Sequence, residues 1–249
     1  MAQQYSMLWA GQVLAGANRK FGDEGDDAFF VLPSKDAAGV ADGTGYWRNK
    51  GITSGPYTRS MMINTRNYME DGFNPYDALE AAFQSWAVQN NYGSMTFCVG
   101  QVIDNRLYVV QLGDCGVLVI RNGAVVYRSV EQEHLFNSPY QLGSGTDDLD
   151  DAWRYHIDLE SGDLVIFGSD GLFNNLYDNI ILEVVNQFEY DEYPAVIALT
   201  LAETAYELSV QENYWSPFSQ RKYEAGLINK DEKQTGGKPD DIAVVVGKY

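Results

Sequence analysis

The stretch Val40-Ala41-Asp42-Gly43-Thr44-Gly45-Tyr46-Trp47 sets one carboxylate between a short apolar run and a glycine-bearing turn. Glycine on either side of Thr44 allows a sharp turn that brings a main-chain carbonyl close to whatever Asp42 holds. Taken alone, this is an Asp-Gly turn that ends a strand. The pattern recurs, however: Asp26-Asp27, Gly113-Asp114, Ser169-Asp170-Gly171 and Pro239-Asp240-Asp241 each lie at the end of an apolar, strand-like run. Carboxylates at the same ends of neighbouring strands converge in space although they are far apart in sequence. Such a set suits hard divalent cations, which take oxygen ligands and keep several waters.

Outward from Asp42, the periodicity orders the chain. Tyr5 to Ala15, Ala28 to Leu32 and Gly39 to Ala41 read as strands, with a turn at Pro33 to Ala38. Met61, Met62, Thr65, Tyr68 and Met69 share one helical face between Ser54 and Gly72. A second helix starts at Asn74-Pro75, asparagine as cap and proline in the first turn. From Met95 to Arg128 the period becomes extended, broken at Asp104-Asn105, Gly113-Asp114 and Asn122-Gly123, which reads as an antiparallel meander. Glu131 to Ala152 is polar and reads as a surface excursion or flap. Trp153 to Leu159 and Leu164 to Phe167 are extended, joined by a Ser161-Gly162-Asp163 turn. Two helical patterns follow, through Ile180 to Phe188 and Ile197 to Leu208. Residues 212–239 form an irregular insertion before a last strand, Ile242 to Val246. Strands, two helices, strands, two helices and a final strand describe sheets packed on each other with helix pairs outside. With no linker or internal repeat, residues 1–249 are expected to be one domain.

Composition narrows the chemistry. The chain is 45% hydrophobic and 21% charged, enough apolar material for a substantial core. A formal net charge of −18 argues against nucleic acid or an anionic membrane as partner. No apolar run approaches the roughly 18 residues of a membrane span, and the N-terminus lacks a secretory signal. Residues 1–22 carry Arg19 and Lys20 without an acid, but their aromatic and apolar content reads as a strand rather than a targeting segment. An intracellular setting is expected, cytoplasmic rather than organellar. Cys98 and Cys115 lack metal-ligand spacing and are expected to be buried reduced thiols. The two histidines, His134 and His156, have no partner at ligand spacing, which disfavours zinc.

In order along the chain, Gly25-Asp26-Asp27-Ala28, Asp42-Gly43-Thr44-Gly45, Gly93-Ser94-Met95-Thr96, Gly113-Asp114-Cys115-Gly116, Ser169-Asp170-Gly171-Leu172-Phe173 and Pro239-Asp240-Asp241-Ile242 resemble the motifs of the PPM (PP2C) metal-dependent serine/threonine phosphatases. Glu133 to Leu142, Ser216-Pro217-Phe218 and Gly237-Lys238-Pro239 are most similar to the PTC7-like branch of that family. The resemblance spans about Gly22 to Val246. It implies an α+β fold, an α-β-β-α sandwich of two central antiparallel sheets flanked by helix pairs, with two Mg²⁺ or Mn²⁺ ions at one edge. By the same resemblance Asp42 bridges both ions, the Gly43 carbonyl ligates one, Asp170 and Asp240 complete the first shell, and Asp26 and Asp27 serve the second ion directly or through water.

A water shared by two such ions loses a proton near neutral pH and can attack phosphorus in line, without a phospho-enzyme. The implied reaction is hydrolysis of phosphoserine or phosphothreonine on a protein substrate by a monomeric enzyme. Arg19 is the expected phosphate-binding cation, with Arg48 as the alternative. Two positions depart from the family. Thr44 stands where many members have histidine, a candidate acid for the leaving alkoxide, and a threonine hydroxyl is a poor proton donor. Asn174 stands where aspartate helps hold a third ion with the residue matching Asp114, so a third site is in doubt. A silent member that binds phosphoproteins is the competing reading. A haloacid-dehalogenase reading of Asp42-Gly43-Thr44 fails, because Val40 occupies the nucleophile's position. His134 reads as a packing or hydrogen-bonding residue, and His156 as structural.

Overall fold

The protein is described by a computed structural model covering residues 6–20, 22–87, 92–188, 194–228 and 236–249. The expected strand start at Tyr5 and the middle of the 212–239 insertion, residues 229–235, lie outside the described residues. In chain order the strands are β1 (Leu8–Leu14), β2 (Ala28–Leu32), β3 (Ala37–Gly43), β4 (Ser94–Ile103), β5 (Arg106–Leu112), β6 (Gly116–Arg121), β7 (Ala124–Arg128), the short β8 (Glu133–Leu135), β9 (Ser138–Pro139) and β10 (Leu142–Gly143), then β11 (Trp153–Asp158), β12 (Leu164–Gly168) and β13 (Ile242–Lys248). The helices are α1 (Gly55–Glu70), α2 (Pro75–Ala87), α3 (Asp170–Phe173), α4 (Asp178–Val185), α5 (Pro194–Ser209) and α6 (Pro217–Glu224).

One antiparallel sheet runs β1-β13-β12-β6-β7 and the other β11-β5-β4-β3-β2, with β10 added to β4. Side chains alternate faces along a strand, and the core divides accordingly. In β13, Ala243 and Val245 join Trp9, Val40, Cys98, Val117 and Phe167 between the sheets. Its Ile242, Val244 and Val246 pack instead with Ile181, Ile197 and Leu201 under α4 and α5. In β3, Ala38 and Val40 face the partner sheet, whereas Ala37 and Ala41 pack with Met61, Met62, Leu79 and Trp86 of α1 and α2. The result is the four-layer α-β-β-α sandwich. Both sheets are buried on both faces at their centres, which is why these strands read as continuous apolar runs rather than as alternation.

The α2 start follows its sequence: Asn74 Oδ1 accepts from the Tyr76 and Asp77 amides, each at 3.0 Å. Other expectations need correction. The segment from Met95 to Arg128 is not one meander: β4-β5 and β6-β7 are hairpins in different sheets. Gly113-Asp114 is therefore a crossover between sheets, and Ser161-Gly162-Asp163 joins β11 to β12 in the same way. The excursion at 131–152 is anchored as well as exposed, because Leu142 and Leu149 insert into the core under α1 and α2. The insertion at 212–239 contains α6, capped by Ser216, whose Oγ accepts from the Ser219 amide at 3.1 Å. Among the described residues no helix is long and apolar enough to cross a membrane. Cys98 and Cys115 are free and buried.

Candidate metal centre

Strand direction alternates in an antiparallel sheet, so one end of the sandwich collects the C-terminal ends of β3, β5 and β12 and the N-terminal ends of β2, β4, β6 and β13. Register fixes this: Asp42 pairs with Thr96, Phe97 with Leu112, and Gly168 with both Gly116 and Val244. Asp26-Asp27 precede β2, Asp42 ends β3, Asp114 follows β5, Asp170 follows β12, and Asp240-Asp241 precede β13. Every acidic motif singled out in the sequence thus reaches the same edge.

A cavity of about 960 Å³ opens there, and Asp42, Gly43, Asp114, Asp170 and Asp240 line it. Asp27 is buried and close enough to Asp42 for its charge to act on that carboxyl, and neither of its buried oxygens has a hydrogen-bond partner among the described residues. One buried oxygen of Asp114 and one of Asp170 are likewise unpartnered. Burial, and then the negative charge of Asp27, Asp170 and Asp240, pushes the Asp42 carboxyl well above the usual carboxylate range. Burial followed by Asp241 does the same to Asp27. Burial and Asp170 push Asp114 up to about 8, and burial and Asp170 push Asp240 up to about 6. Asp170 is the exception: burial, the largest influence, pushes it up, but the Lys238 ammonium, a hydrogen bond with Asp42 and the charge of Arg221 together hold it below its ordinary value. A single lysine among these carboxylates offsets only part of their negative charge, and a divalent ion would supply more positive charge. Among the described residues, no group of three or more His, Cys, Asp or Glu already stands in the arrangement of a formed metal site. The oxygens turn instead to cations of the chain itself. Lys238 Nζ contacts the Asp170 carboxylate and lies 3.1 Å from Asp240 Oδ2.

Three residues grouped with the site in the sequence, Asp26, Arg19 and Arg48, have other partners. Asp26 Oδ1 accepts from Thr53 Oγ1 and the Gly55 amide, each at 2.7 Å, and its Oδ2 faces Arg19 and Arg48. Its side chain therefore joins the N-terminus of α1 to the cavity wall, and its oxygens are filled without a metal. Arg19 lines the cavity, yet its Nε donates to Asp241 at 3.0 Å and its Nη2 lies 2.5 Å from Asp241 and 3.2 Å from Asp26. Arg48, the alternative phosphate ligand, is paired with Asp23 and Asp26. Both arginines are committed to the acidic framework.

The structure also gives Asp241, Asn174, Arg221 and Lys238 partners around the site that no local pattern specified. Asp241 accepts from the Gly16 amide at 2.8 Å and the Asp26 amide at 2.7 Å, which ties β13 to the turns after β1 and before β2. Asn174 donates to Asp170 Oδ2 at 3.1 Å and accepts from Arg221 Nη1 at 3.1 Å. Arg221, on α6, also pairs with Glu131 and with Glu133 of β8. A guanidinium thus sits beside the amide at the position questioned as a third metal site. Residues from the 131–152 segment, among them His134, Gln141 and Asp147, form one wall of the cavity. Lys238 and Asp241 stood inside a quoted motif, so their neighbourhood was readable; their pairings were not. His156 lies exposed on β11 with its ring 6.0 Å from that of Tyr108.

Comparison with known proteins agrees with this architecture. A family model described as Stage II sporulation protein E (SpoIIE) matches residues 34–212. The chain is 36% identical over 244 residues to the protein phosphatase PTC7 homolog of Homo sapiens, covering 89% of this chain and 78% of the relative. It is 38% identical over 229 residues to the probable protein phosphatase 2C 55 of Arabidopsis thaliana, covering 89% of this chain and 47% of that one. The X-ray structure of the photosystem II phosphatase PBCP superposes with a TM-score of 0.89 at 30% identity, over 98% of each chain. The catalytic domain of the phosphatase PstP shares the fold, with a TM-score of 0.67 at 18% identity over 98% of each chain. The chain belongs to the PP2C-type (PPM) family of protein serine/threonine phosphatases.

Proposed function

We propose that this protein hydrolyses phosphoserine and phosphothreonine monoesters on protein substrates with two divalent cations, Mg²⁺ or Mn²⁺, held at the edge of the sandwich. The observation that carries the reading is the set of buried carboxylate oxygens, unpartnered among the described residues, on Asp114 and Asp170 in the cavity wall and on Asp27, whose charge acts on Asp42 in the same wall. An all-oxygen donor set fits Mg²⁺ and Mn²⁺ and does not favour softer metals. Asp42, the Gly43 carbonyl, Asp170, Asp240 and Asp27 would hold the ions. The ions would supply the positive charge that activates water and neutralises phosphoryl oxygens. Asp26 would act by fixing Arg19 and Arg48 rather than as a ligand. Both sheets contribute ligands, so the reading takes the whole chain as one catalytic domain.

The test is release of phosphate from a phosphothreonine peptide with Mn²⁺, with and without a chelator, alongside manganese titration calorimetry. Activity should disappear with chelator and fall at least about 10³-fold in Asp42→Ala, with loss of high-affinity manganese binding. Turnover that survives both would overturn the reading.

A further inference from the structure

Thr44 leaves open what protonates the departing oxygen. Within the phosphatase reading, on which this inference rests, we propose that His134 delivers that proton and that Asp147 positions it. The imidazole lines the same cavity as Asp42. Its Nε2 lies 2.8 Å from Asp147 Oδ1, and its ring stacks on Tyr140 at a centroid distance of 3.8 Å and an interplanar angle of 19°. The other oxygen of Asp147 accepts from the Gln141 amide at 2.9 Å. Gln141 Oε1 in turn accepts from Thr44 Oγ1 at 2.9 Å and from Ser94 Oγ at 2.8 Å. Hydrogen bonds to the side chain and to the backbone amide of Gln141 therefore tie the residue next to Gly43, through Asp147, to the imidazole. A ring held on its face by Tyr140 and at its edge by a carboxylate has its plane fixed, which is the arrangement of an oriented acid.

Elimination among cavity residues points the same way. Lys238, Arg19 and Arg48 are each held by two carboxylates, and an ammonium or guanidinium gives up a proton near neutral pH far less readily than an imidazolium. The chain's other histidine, His156, is on β11 beside Tyr108, outside the residues lining this cavity. In the proposed step a water oxygen bonds to phosphorus as the ester P–O bond to the side-chain oxygen breaks. The proton on His134 Nδ1 passes to that oxygen, giving a free hydroxyl and inorganic phosphate, while the proton lost by the attacking water goes to solvent. The imidazole side chain, 46% exposed, is reprotonated from solvent.

The experiment compares two leaving groups in the manganese-loaded protein. A phosphothreonine peptide departs as an alkoxide and needs the acid, whereas p-nitrophenyl phosphate departs as a stabilised aryl oxide and needs it far less. General acids contribute typically about 10²–10⁴-fold. In His134→Gln the ratio of kcat on the peptide to kcat on the aryl ester should fall at least about 30-fold, with manganese affinity unchanged by calorimetry. Asp147→Asn should lower the same ratio by a smaller factor, and it decides the matter should the glutamine variant not fold. Equal losses on both substrates, or no loss on either, would overturn the proposal. Wild-type protein inactive on both substrates would instead remove the phosphatase reading itself, an outcome distinct from a normal wild type with insensitive variants.

Discussion

Nζ of Lys238 lies 3.1 Å from Oδ2 of Asp240, with Asp170 contacted from the same ammonium. The lysine thus acts as an internal counter-ion among carboxylates that a divalent ion would also claim. Burial lowers its proton affinity, but Asp170 and then Asp240 raise it further, so it stays charged. On the two-ion proposal, ammonium and metal would compete for the same oxygens, and removing the lysine should shift that competition. Lys238→Met should lower the stability of metal-free protein by about 3 kcal/mol, the scale of a broken buried pair. It should also raise manganese affinity about tenfold, corresponding to roughly 1.4 kcal/mol. Calorimetry and urea denaturation measure the two effects. Weaker manganese binding in the variant would show that the lysine supports the metal rather than competing with it.

The raised carboxyls make a second prediction, about pH. A carboxyl whose folded pKa exceeds its unfolded value stabilises the fold fully below the unfolded pKa. That contribution is lost as pH rises through the folded value. Asp240, raised to about 6, and Asp114, raised to about 8, place this loss between about pH 4 and 8, and Asp27 and Asp42 act in the same direction. Asp170, held low, has the opposite sign: its contribution is present above its unfolded pKa and lost in more acidic solution. Chelator-treated protein should therefore melt at lower temperature at pH 8 than at pH 5, and Asp114→Asn should flatten the upper part of that decline. Metal binds the deprotonated carboxylates. Manganese at 100 times its dissociation constant contributes about 2.7 kcal/mol, a rise of roughly 5–10 °C for a chain of this size, largest at pH 8. A chelated protein whose melting temperature climbs from pH 5 to 8 would contradict the assignment of these groups.

What could be read from residues and what could not divide along a physical line. Period and capping are local, so the helix pairs, the Asn74 cap and the strand character of β3, β4 and β13 were legible. Asp104-Asn105 and Asn122-Gly123 both close hairpins. Gly113 offers the same kind of turn signal, with φ of 86°, yet leads into the other sheet. A turn residue fixes a dihedral, not the partner of the next strand; that is decided by which faces must be buried. The converging aspartates were legible because strand ends are. The pairings of Arg19 with Asp241, Arg48 with Asp26 and Arg221 with Glu131 cross large sequence separations, and no local pattern encodes them. Ser216-Pro217 did carry a local signal for α6, a cap followed by proline in the first turn, within a stretch read as irregular.

The two glycines around Thr44 have different reasons to be glycine, and this separates two variants. The sequence reading assigned both to a sharp turn, but neither has a positive φ. A Cβ on Gly43 would meet Thr58 Oγ1 at 2.5 Å and the Asp26 carbonyl oxygen at 2.6 Å. The second of these is backbone, held by the β2 turn, and cannot swing away as a side-chain tip could. A Cβ on Gly45 meets nothing within 4 Å. Gly43→Ala should therefore push the end of β3 away from α1 and the Asp26 turn, destabilising by about 1–3 kcal/mol as overpacking does. It should weaken manganese binding as well, because Asp42 and the Gly43 carbonyl move with that strand end. Gly45→Ala should change stability by less than about 0.5 kcal/mol. Urea denaturation of the two chelated variants and manganese calorimetry provide the measurements. Equal effects at the two positions would mean that the turn, and not the close approach of α1 and the Asp26 backbone, is what requires glycine beside Asp42.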